Sequence, residues 1–164
     1  MSDSFLPFDQ AMRELAKRLP GSAHREAVLT RLLQRVTAAM NEHFDGPLRA
    51  YGLNQTTFTA LAVLYSSPGF SRKPSELSVF MISSRTNITR VADELEKKGW
   101  VERLPDREDR RQLKLALTRK GREFVKKVLP ERRRQMVELW AMFSDEERRS
   151  LEALLRKLLG QLDR

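Results

Sequence analysis

Polar side chains that can bond to nucleic-acid bases are concentrated between positions 83 and 90. The segment reads SSRTNITR, so hydroxyl, amide and guanidinium groups follow one another closely. An arginine can bind guanine through two hydrogen bonds and an asparagine can bind adenine likewise, each pair contributing about 1–3 kcal/mol of base discrimination. Hydroxyls and guanidinia also bond to phosphates. The candidate DNA-contacting residues of this segment are Ser83, Ser84, Arg85, Thr86, Asn87, Thr89 and Arg90.

A second candidate group lies between positions 105 and 114, which contain the run DREDRR. We predict that one or two of its arginines enter a minor groove, while Asp109 holds a neighbouring guanidinium in place. A narrow A·T-rich minor groove concentrates negative potential and attracts arginine. Arg110 and Arg111 are the best candidates for insertion. The whole group is Arg107, Asp109, Arg110, Arg111 and Lys114. The alternative for both groups is a solvated surface, with ion pairs that add little stability.

Helical periodicity positions the first group. Apolar residues recur at spacings of three and four over 85–98, which predicts a helix with one buried face. Its inward positions are Ile88, Val91, Ala92 and Leu95. Ser83 or Ser84 can cap this helix, and Gly99 ends it. A shorter helix over 74–80, which buries Leu77 and Phe80, precedes it after a tight turn. The two helices have the arrangement of a helix-turn-helix.

The second group falls on a predicted hairpin. Val101, Arg103 and the stretch 112–117 alternate between polar and apolar positions around the polar turn 105–111. A hairpin that follows a helix-turn-helix is the wing of a winged helix. The predicted fold class is therefore mainly α (α+β), with a winged helix-turn-helix lobe over 53–118.

Long helices are predicted on both sides of this lobe. Ser22 can cap the first, and Gly46-Pro47 should kink or break it, because proline removes a helical donor. Asn54 is a good cap for a helix over 55–65, and Thr118 for a second long helix. A capping box at 144–147 begins the last helix. That helix carries a leucine stripe formed by Leu151, Leu154, Leu155, Leu158, Leu159 and Leu162.

The terminal helices predict an oligomer. Outer helices of this length cannot all be covered by one domain of 164 residues. A symmetric homodimer would bury the leucine stripe and part of the first helices. We therefore expect a single domain over 1–164, in which 1–52 and 119–164 supply dimerisation helices.

The charge distribution favours a polyanionic partner. The chain has 31 Lys and Arg against 22 Asp and Glu, a net charge of +9. Positions 100–134 hold 13 basic and six acidic residues, which gives 13 − 6 = +7, most of the net charge of the chain, and this positive span begins in the hairpin. Nucleic acid is the commonest partner of such a surface, and double-stranded DNA fits the helix-turn-helix.

Several other classes of protein find no support. The chain contains no cysteine, which excludes disulfides and thiolate metal sites. No apolar run approaches the roughly 20 residues of a membrane span, and the N-terminus lacks a signal-peptide core, so we expect a cytoplasmic protein. His24 and His43 have no carboxylate arrangement that would complete a metal site. No phosphate loop or nucleophile motif is present. We expect no cofactor and no catalytic activity.

The runs SSRTNITRVADELEKKGWVER, DREDRR and LALTRKGREF together resemble the MarR (multiple-antibiotic-resistance regulator) family. The resemblance implies a homodimeric winged-helix repressor whose two recognition helices enter successive major grooves of a pseudo-palindromic operator. The half-sites would lie about 34–36 Å apart. Members of the family commonly release DNA when a lipophilic, often phenolic or anionic, compound binds. By position, Phe58, Tyr65 and Trp140 are candidates to line the effector pocket. The absence of cysteine excludes the thiol sensing used by one branch of the family.

Two other functions share these features. A non-specific architectural protein would have the same charge and fold but would not distinguish an operator from random DNA. A winged-helix scaffold that binds protein through its apolar terminal helices would dimerise without DNA affinity even at low salt.

Overall fold

The computed structural model of the chain describes residues 5–19, 21–81, 83–106 and 112–163. The helices are α1 (Leu6–Arg18), α2 (His24–Arg49), α3 (Gln55–Ser66), α4 (Pro74–Phe80), α5 (Arg85–Lys97), α6 (Arg119–Trp140) and α7 (Asp145–Leu162). The strands are β1 (Ser71–Arg72), β2 (Val101–Pro105) and β3 (Leu113–Leu117). The predicted mainly α architecture with a β-hairpin after the second short helix is confirmed.

The chain divides into two compact units, 1–59 and 60–164, with the boundary inside α3. In the first unit α1 contacts α2, and the Arg31 guanidinium lies 5.7 Å from the centre of the Phe8 ring. Asn54 caps α3 as predicted, because its side-chain oxygen accepts the N–H of Thr57 at 2.9 Å. The Thr57 hydroxyl accepts the N–H of Asn54 in return at 3.0 Å, so both terminal donors are satisfied.

A kink or a break was expected at Gly46-Pro47, and the break is wrong. Helix α2 continues through both residues to Arg49. Pro47 lies in the last turn and has no N–H to donate to the carbonyl four residues before it, so one helical hydrogen bond is missing there although the helix continues. The end of α2 is also held to the next segment, since the Asp45 carboxylate accepts the N–H of Gln55 at 2.5 Å.

Ser22 does not cap α2, so this prediction is also wrong. The helix begins at His24, and Ala23 occupies the cap position without a side-chain hydrogen bond. Ser22 therefore lies one residue too early for its hydroxyl to reach the first turn. That hydroxyl is buried and has no hydrogen-bond partner among the described residues.

The second unit contains an antiparallel sheet with strand order β1-β3-β2. In the β2–β3 hairpin Val101 pairs with Leu117 at one end and Pro105 with Leu113 at the other. Strand β1 adds to the other edge of β3 through Ser71 and Arg72, directly after a single helical turn at Pro68–Phe70. Two residues are too few to show strand alternation, so the sequence did not predict β1.

Helices α4 and α5 have the predicted boundaries to within one residue. Leu77 is buried as expected, but the predicted burial of Phe80 is wrong, since this side chain is 61% exposed. Phe80 is the last residue of α4. Its ring lies under the Arg72 guanidinium, 4.3 Å from the ring centre, which covers one aromatic face without placing it in the core.

Gly121 fixes the start of α6 against the turn that leads into β2. A Cβ atom at this position would lie 2.1 Å from the carbonyl oxygen of Trp100. The Trp100 ring stacks on Phe124 with 4.3 Å between the ring centres. Thr118 caps α6 by accepting the N–H of Gly121 at 3.0 Å. This end of the hairpin is therefore rigidly attached to α6.

No described helix is long and apolar enough to cross a membrane.

Candidate nucleic-acid interface

The first turn of α5 is held by the two serines that precede it. Ser84 occupies the cap position, and its hydroxyl oxygen accepts the N–H of Asn87 at 3.2 Å. The Ser83 hydroxyl accepts the side-chain amide of Asn87 at 2.7 Å. Asn87 is thus fixed both through its backbone and through its side chain. Of the two cap candidates, the structure selects Ser84.

The buried and exposed faces of α5 follow the predicted pattern. The predicted inward residues are all buried: Ile88, Val91, Ala92 and Leu95. On the outer side Arg85, Thr86 and Thr89 are exposed. Arg85 and Thr86 have no side-chain partner among the described residues, while the Thr89 hydroxyl donates to the carbonyl of Arg85 at 3.1 Å. The start of the helix therefore presents hydrogen-bonding groups to solvent.

Arg90 lies on the same exposed face, and two neighbouring side chains hold its guanidinium in one orientation. One of its guanidinium nitrogens donates to the side-chain oxygen of Asn87 at 2.9 Å, and the other lies 3.7 Å from a carboxylate oxygen of Glu94. The Asn87 amide consequently links Ser83 to Arg90. For Asn87 to bind adenine through both of its polar atoms, it would have to release these partners.

Arg103 fastens the hairpin to α5, a role that the sequence did not indicate. Its guanidinium binds the carboxylates of Asp93 and Glu96, which lie on the exposed and half-buried side of the helix. The hydrogen bond to Asp93 is the main cause that raises the pKa of Arg103, with Glu96 adding to it. These carboxylates therefore position β2 against α5.

Asp106 holds the base of the hairpin turn in place through ion pairs and a backbone hydrogen bond. Its carboxylate is fully buried, with Lys73 and Lys114 each 3.0 Å away at its two oxygens. Its N–H donates to the carbonyl of Gln112 at 2.8 Å across the hairpin. Lys114, predicted to contact DNA, is thus engaged within the chain. The sequence did not indicate the ion pairs of Lys73 and Asp106, because the partners lie on different elements of the fold.

The remaining hairpin candidates, Arg107, Asp109, Arg110 and Arg111, lie outside the described residues. Minor-groove insertion by Arg110 or Arg111 stays a prediction.

The three effector candidates lie in different surroundings. Phe58 is buried in the first unit. Tyr65 lines a cavity of about 350 Å³ in the second unit. Trp140 lines another cavity of about 480 Å³ in the same unit, together with leucines of α7 such as Leu151 and Leu155. The structure therefore does not bring Tyr65 and Trp140 to one cavity.

Among the residues that the structure describes, no group of three or more potential metal ligands comes together. The chemistry available at this face is hydrogen bonding and charge, supplied by α5 and by the base of the hairpin.

Comparisons with known proteins agree with this geometry. The model of the MarR family matches residues 53–113. The chain is 44% identical over 163 residues to the transcriptional repressor MprA of Escherichia coli K12, with 99% of this chain and 93% of that protein covered. A MarR mutant from E. coli complexed with operator DNA has 27% identity and a TM-score of 0.72, covering 80% of this chain and 93% of the other. Sco3205 of Streptomyces coelicolor, a MarR family regulator in complex with DNA, has 23% identity and a TM-score of 0.79, covering 85% and 89%.

Proposed function

The chain belongs to the MarR family, and we propose from this premise that it is a sequence-specific DNA-binding repressor that acts as a homodimer. The observation that carries the proposal is the face of α5. One side of the helix is buried, while its N-terminal half exposes Arg85, Thr86, Thr89 and Arg90, and a hairpin follows the helix. A winged helix reads DNA with such a helix in the major groove. The β2–β3 hairpin is then the wing.

Base reading is assigned to the exposed residues of α5. The Arg85 guanidinium has no partner among the described residues and can turn toward a guanine without losing an existing bond. Arg90 is restrained by Asn87 and Glu94, so less side-chain entropy is lost when it binds. Ser84 and Thr86 add hydroxyl donors that fit phosphates at the groove edge. The sequence preference should therefore come from α5.

The wing contributes affinity. The segment 101–117 holds five basic and four acidic residues, so most of the positive excess over 100–134 lies in α6, and phosphate neutralisation by either element is independent of sequence. The proposal that Arg110 or Arg111 enters the minor groove, with Arg107 and Asp109 beside it, rests on the charge pattern of the turn. The buried carboxylate of Asp106 supports the base of the wing by binding Lys73 and Lys114.

Dimerisation is assigned to the terminal helices, 1–52 and 119–164. The leucines of α7 remain largely exposed: Leu154, Leu155, Leu158, Leu159 and Leu162. On α2 a similar apolar set is exposed: Leu29, Leu32, Leu33 and Val36. Apolar surface of this extent needs a partner, and a second copy of the chain supplies one through a two-fold axis. The dimer spacing then sets the distance between half-sites, about 34–36 Å.

Control by a small ligand completes the proposal. A lipophilic or aromatic compound that prefers a dimer with misplaced α5 helices would release the operator, through its differential affinity for the two states. The protein would act in the cytoplasm, where its operator is, and would need no catalytic activity for this function.

Selection of binding sites from a random DNA library by the purified protein tests the function. We expect a pseudo-palindrome with half-site centres about 10–10.5 base pairs apart. Its affinity should exceed that of a scrambled duplex by about a thousandfold or more. Equal affinity for the selected and scrambled duplexes would show a non-specific architectural protein. Absence of binding even at low salt would favour a protein-binding scaffold.

Replacement of one base-reading residue sharpens this test. Arg90→Ala should weaken binding to the selected duplex by about 1–3 kcal/mol, or roughly ten- to a hundredfold, while binding to scrambled DNA changes little. Arg133→Ala is the matched control, since it removes one exposed guanidinium from α6. Equal losses on both duplexes would place Arg90 on the phosphates and refute base reading.

A further inference from the structure

We propose that Asn87 is a positioning residue for Arg90: its side-chain amide directs the Arg90 guanidinium to one base pair of the operator and does not itself bind a base. This role rests on the proposed function, in which Arg90 reads a base in the major groove. The observation that carries it is a polar stripe along α5, formed by Ser83, Asn87, Arg90 and Glu94, whose neighbouring members contact one another.

The polar stripe follows from spacings of four, three and four residues. Side chains at such spacings are neighbours on one face of a helix. The buried residues that directly follow Asn87, Arg90 and Glu94 are Ile88, Val91 and Leu95. The stripe therefore runs along the border of the buried face. Its other members are half-buried, whereas the Arg90 side chain is 60% exposed, so the stripe presents Arg90 to solvent.

The hydrogen bonds of Asn87 fix the direction in which its amide faces. A guanidinium has donors and no acceptor, so the amide oxygen has to face Arg90, whose nitrogen donates to it at 2.9 Å. The amide nitrogen then faces Ser83 and donates to its hydroxyl oxygen at 2.7 Å. Rotating the amide by half a turn would set its donors against the donors of Arg90. One orientation of the amide is therefore strongly preferred.

This series of hydrogen bonds is anchored in α4. The N–H of Ser83 donates to the carbonyl of Ser78, a residue of α4, at 3.0 Å. The turn between α4 and α5 thus sets the place of the Asn87 amide. On the other side of Arg90, a carboxylate oxygen of Glu94 lies 3.7 Å from the second guanidinium nitrogen. Arg90 is therefore held from both sides along the helix.

Arg90 keeps enough donors to bind a guanine. A guanidinium carries several N–H groups in one plane, and the bond to Asn87 occupies one of them. The Glu94 oxygen, at 3.7 Å, is too far away for a normal hydrogen bond. Two N–H groups suffice for the bidentate contact with guanine. A guanidinium that is already held in one direction loses less side-chain entropy when it makes this contact.

The same contacts argue against recognition of adenine by Asn87. Binding to adenine needs the amide oxygen and nitrogen turned together toward one base edge. In the structure they face Arg90 and Ser83, which lie on opposite sides of Asn87 along the stripe. Turning the amide to a base would break its bond to the charged Arg90, and bonds to charged groups are stronger than neutral ones. Arg90 therefore reads the base while Asn87 holds it.

Double-mutant cycles of DNA affinity test the role of Asn87. Fluorescence anisotropy at fixed salt compares the selected duplex with duplexes that each carry one changed base pair. Arg90→Ala should remove the preference at one base pair, about ten- to a hundredfold. Asn87→Ala should weaken the preference at that same base pair by about three- to tenfold, because the released Arg90 loses more side-chain entropy on binding. When Arg90 is already alanine, Asn87→Ala should change affinity by less than about twofold.

Three further variants serve as controls. Asn87→Asp retains an oxygen that faces Arg90 and should keep the preference at this base pair, while its negative charge lowers affinity for every duplex. Ser83→Ala removes only the anchor of the amide and should weaken the same preference less than Asn87→Ala does. Arg85→Ala should combine additively with Asn87→Ala to within about twofold, because the Arg85 guanidinium has no contact with Asn87 among the described residues.

Asn87→Ala retains the backbone N–H that donates to Ser84, so the helix cap is kept. Thermal unfolding checks that each variant is folded, and Asn87→Ser replaces Asn87→Ala if the latter is not.

A preference lost at a different base pair in Asn87→Ala would show that Asn87 reads a base itself, which overturns the proposal. Additive effects of Asn87→Ala and Arg90→Ala overturn it as well, and so does an unchanged preference in either single variant. In these cases the unchanged protein still prefers the selected duplex, so the proposed function stands. Equal affinity of the unchanged protein for the selected and scrambled duplexes overturns the proposed function and this role of Asn87 together.

Discussion

Replacing Asp106 with asparagine tests whether the base of the wing is held by its buried carboxylate. Asp106 is 0% exposed and binds Lys73 and Lys114, whose side chains are 24% and 31% exposed. Removing one partner of a fully buried ion pair costs about 3–5 kcal/mol. Both lysines here can turn toward solvent, so Asp106→Asn should lower the free energy of unfolding by about 2–3 kcal/mol.

Two effects of Asp106→Asn on DNA affinity oppose each other: the added positive charge and the loosened wing. The substitution raises the net charge from +9 to +10, which by charge alone predicts tighter binding. A loosened wing must instead be ordered when DNA binds, at about 1–2 kcal/mol for each residue ordered, which predicts roughly tenfold weaker binding. Loss of the anchor at the wing base should outweigh the added positive charge, so we expect Asp106→Asn to bind DNA more weakly.

Urea denaturation followed by tryptophan fluorescence measures the first effect, and fluorescence anisotropy with the selected duplex measures the second. Glu131→Gln is the control, because it removes a carboxylate from an exposed pair with Arg134 and should change stability by less than about 1 kcal/mol. If Asp106→Asn matches this control in stability and binds DNA as well as or better than the unchanged protein, the wing is not supported by Asp106.

Three further predictions concern the helices. Gly121→Ala places a Cβ 2.1 Å from the Trp100 carbonyl oxygen and should destabilise the protein by at least about 2 kcal/mol in urea denaturation. The control Gly160→Ala meets nothing within 4 Å and should be neutral or stabilising. Leu158→Glu, at a side chain 42% exposed in the leucine stripe, should convert the dimer to a monomer in analytical ultracentrifugation. A backbone N–H bonded to Glu147 lowers the pKa of its carboxyl below the ordinary 4.5. The stabilisation of α7 by this bond should be present above pH 4.5 and lost as the pH falls through the lowered pKa, a dependence that Glu147→Gln should flatten in acid titration.

Each of these three predictions would be contradicted by a specific result. Equal stability of the two alanine variants would mean that α6 can move away from the turn at Trp100. A dimer that persists in Leu158→Glu would remove α7 from the interface. An acid titration of α7 that is identical with and without the Glu147 carboxylate would show that the capping bond does not contribute.

The helical framework was predictable because its signals are local. Ser84, Thr118 and Ser144 cap helices as expected, since each accepts an N–H from a residue three positions later in its own chain segment. The inner face of α5 follows from helical period alone. The exposed polar face of the same helix follows with it. The residues proposed to read bases were therefore identifiable from the sequence.

Other features needed the tertiary structure. The end of α2 was misjudged at Pro47, because this end of the helix is also held by a contact with a later segment, the N–H of Gln55 on the Asp45 carboxylate. Phe80 was expected inside, but where an apolar residue at a helix end points is decided by its neighbours, in this case Arg72. The two-residue strand β1 exists only because β3 offers it an edge.

By itself, the sequence determined the caps, the buried and exposed sides of α5, the hairpin and the leucine stripe, because hydrogen bonds and side-chain periods within one segment produce them. Only the tertiary structure decided how the wing is held and where the cavity lined by Tyr65 forms. Asp106 meets Lys73, Arg103 meets Asp93, and Arg122 meets Phe70 across different elements. Such pairings depend on strand register and helix packing, which no spacing along the chain encodes.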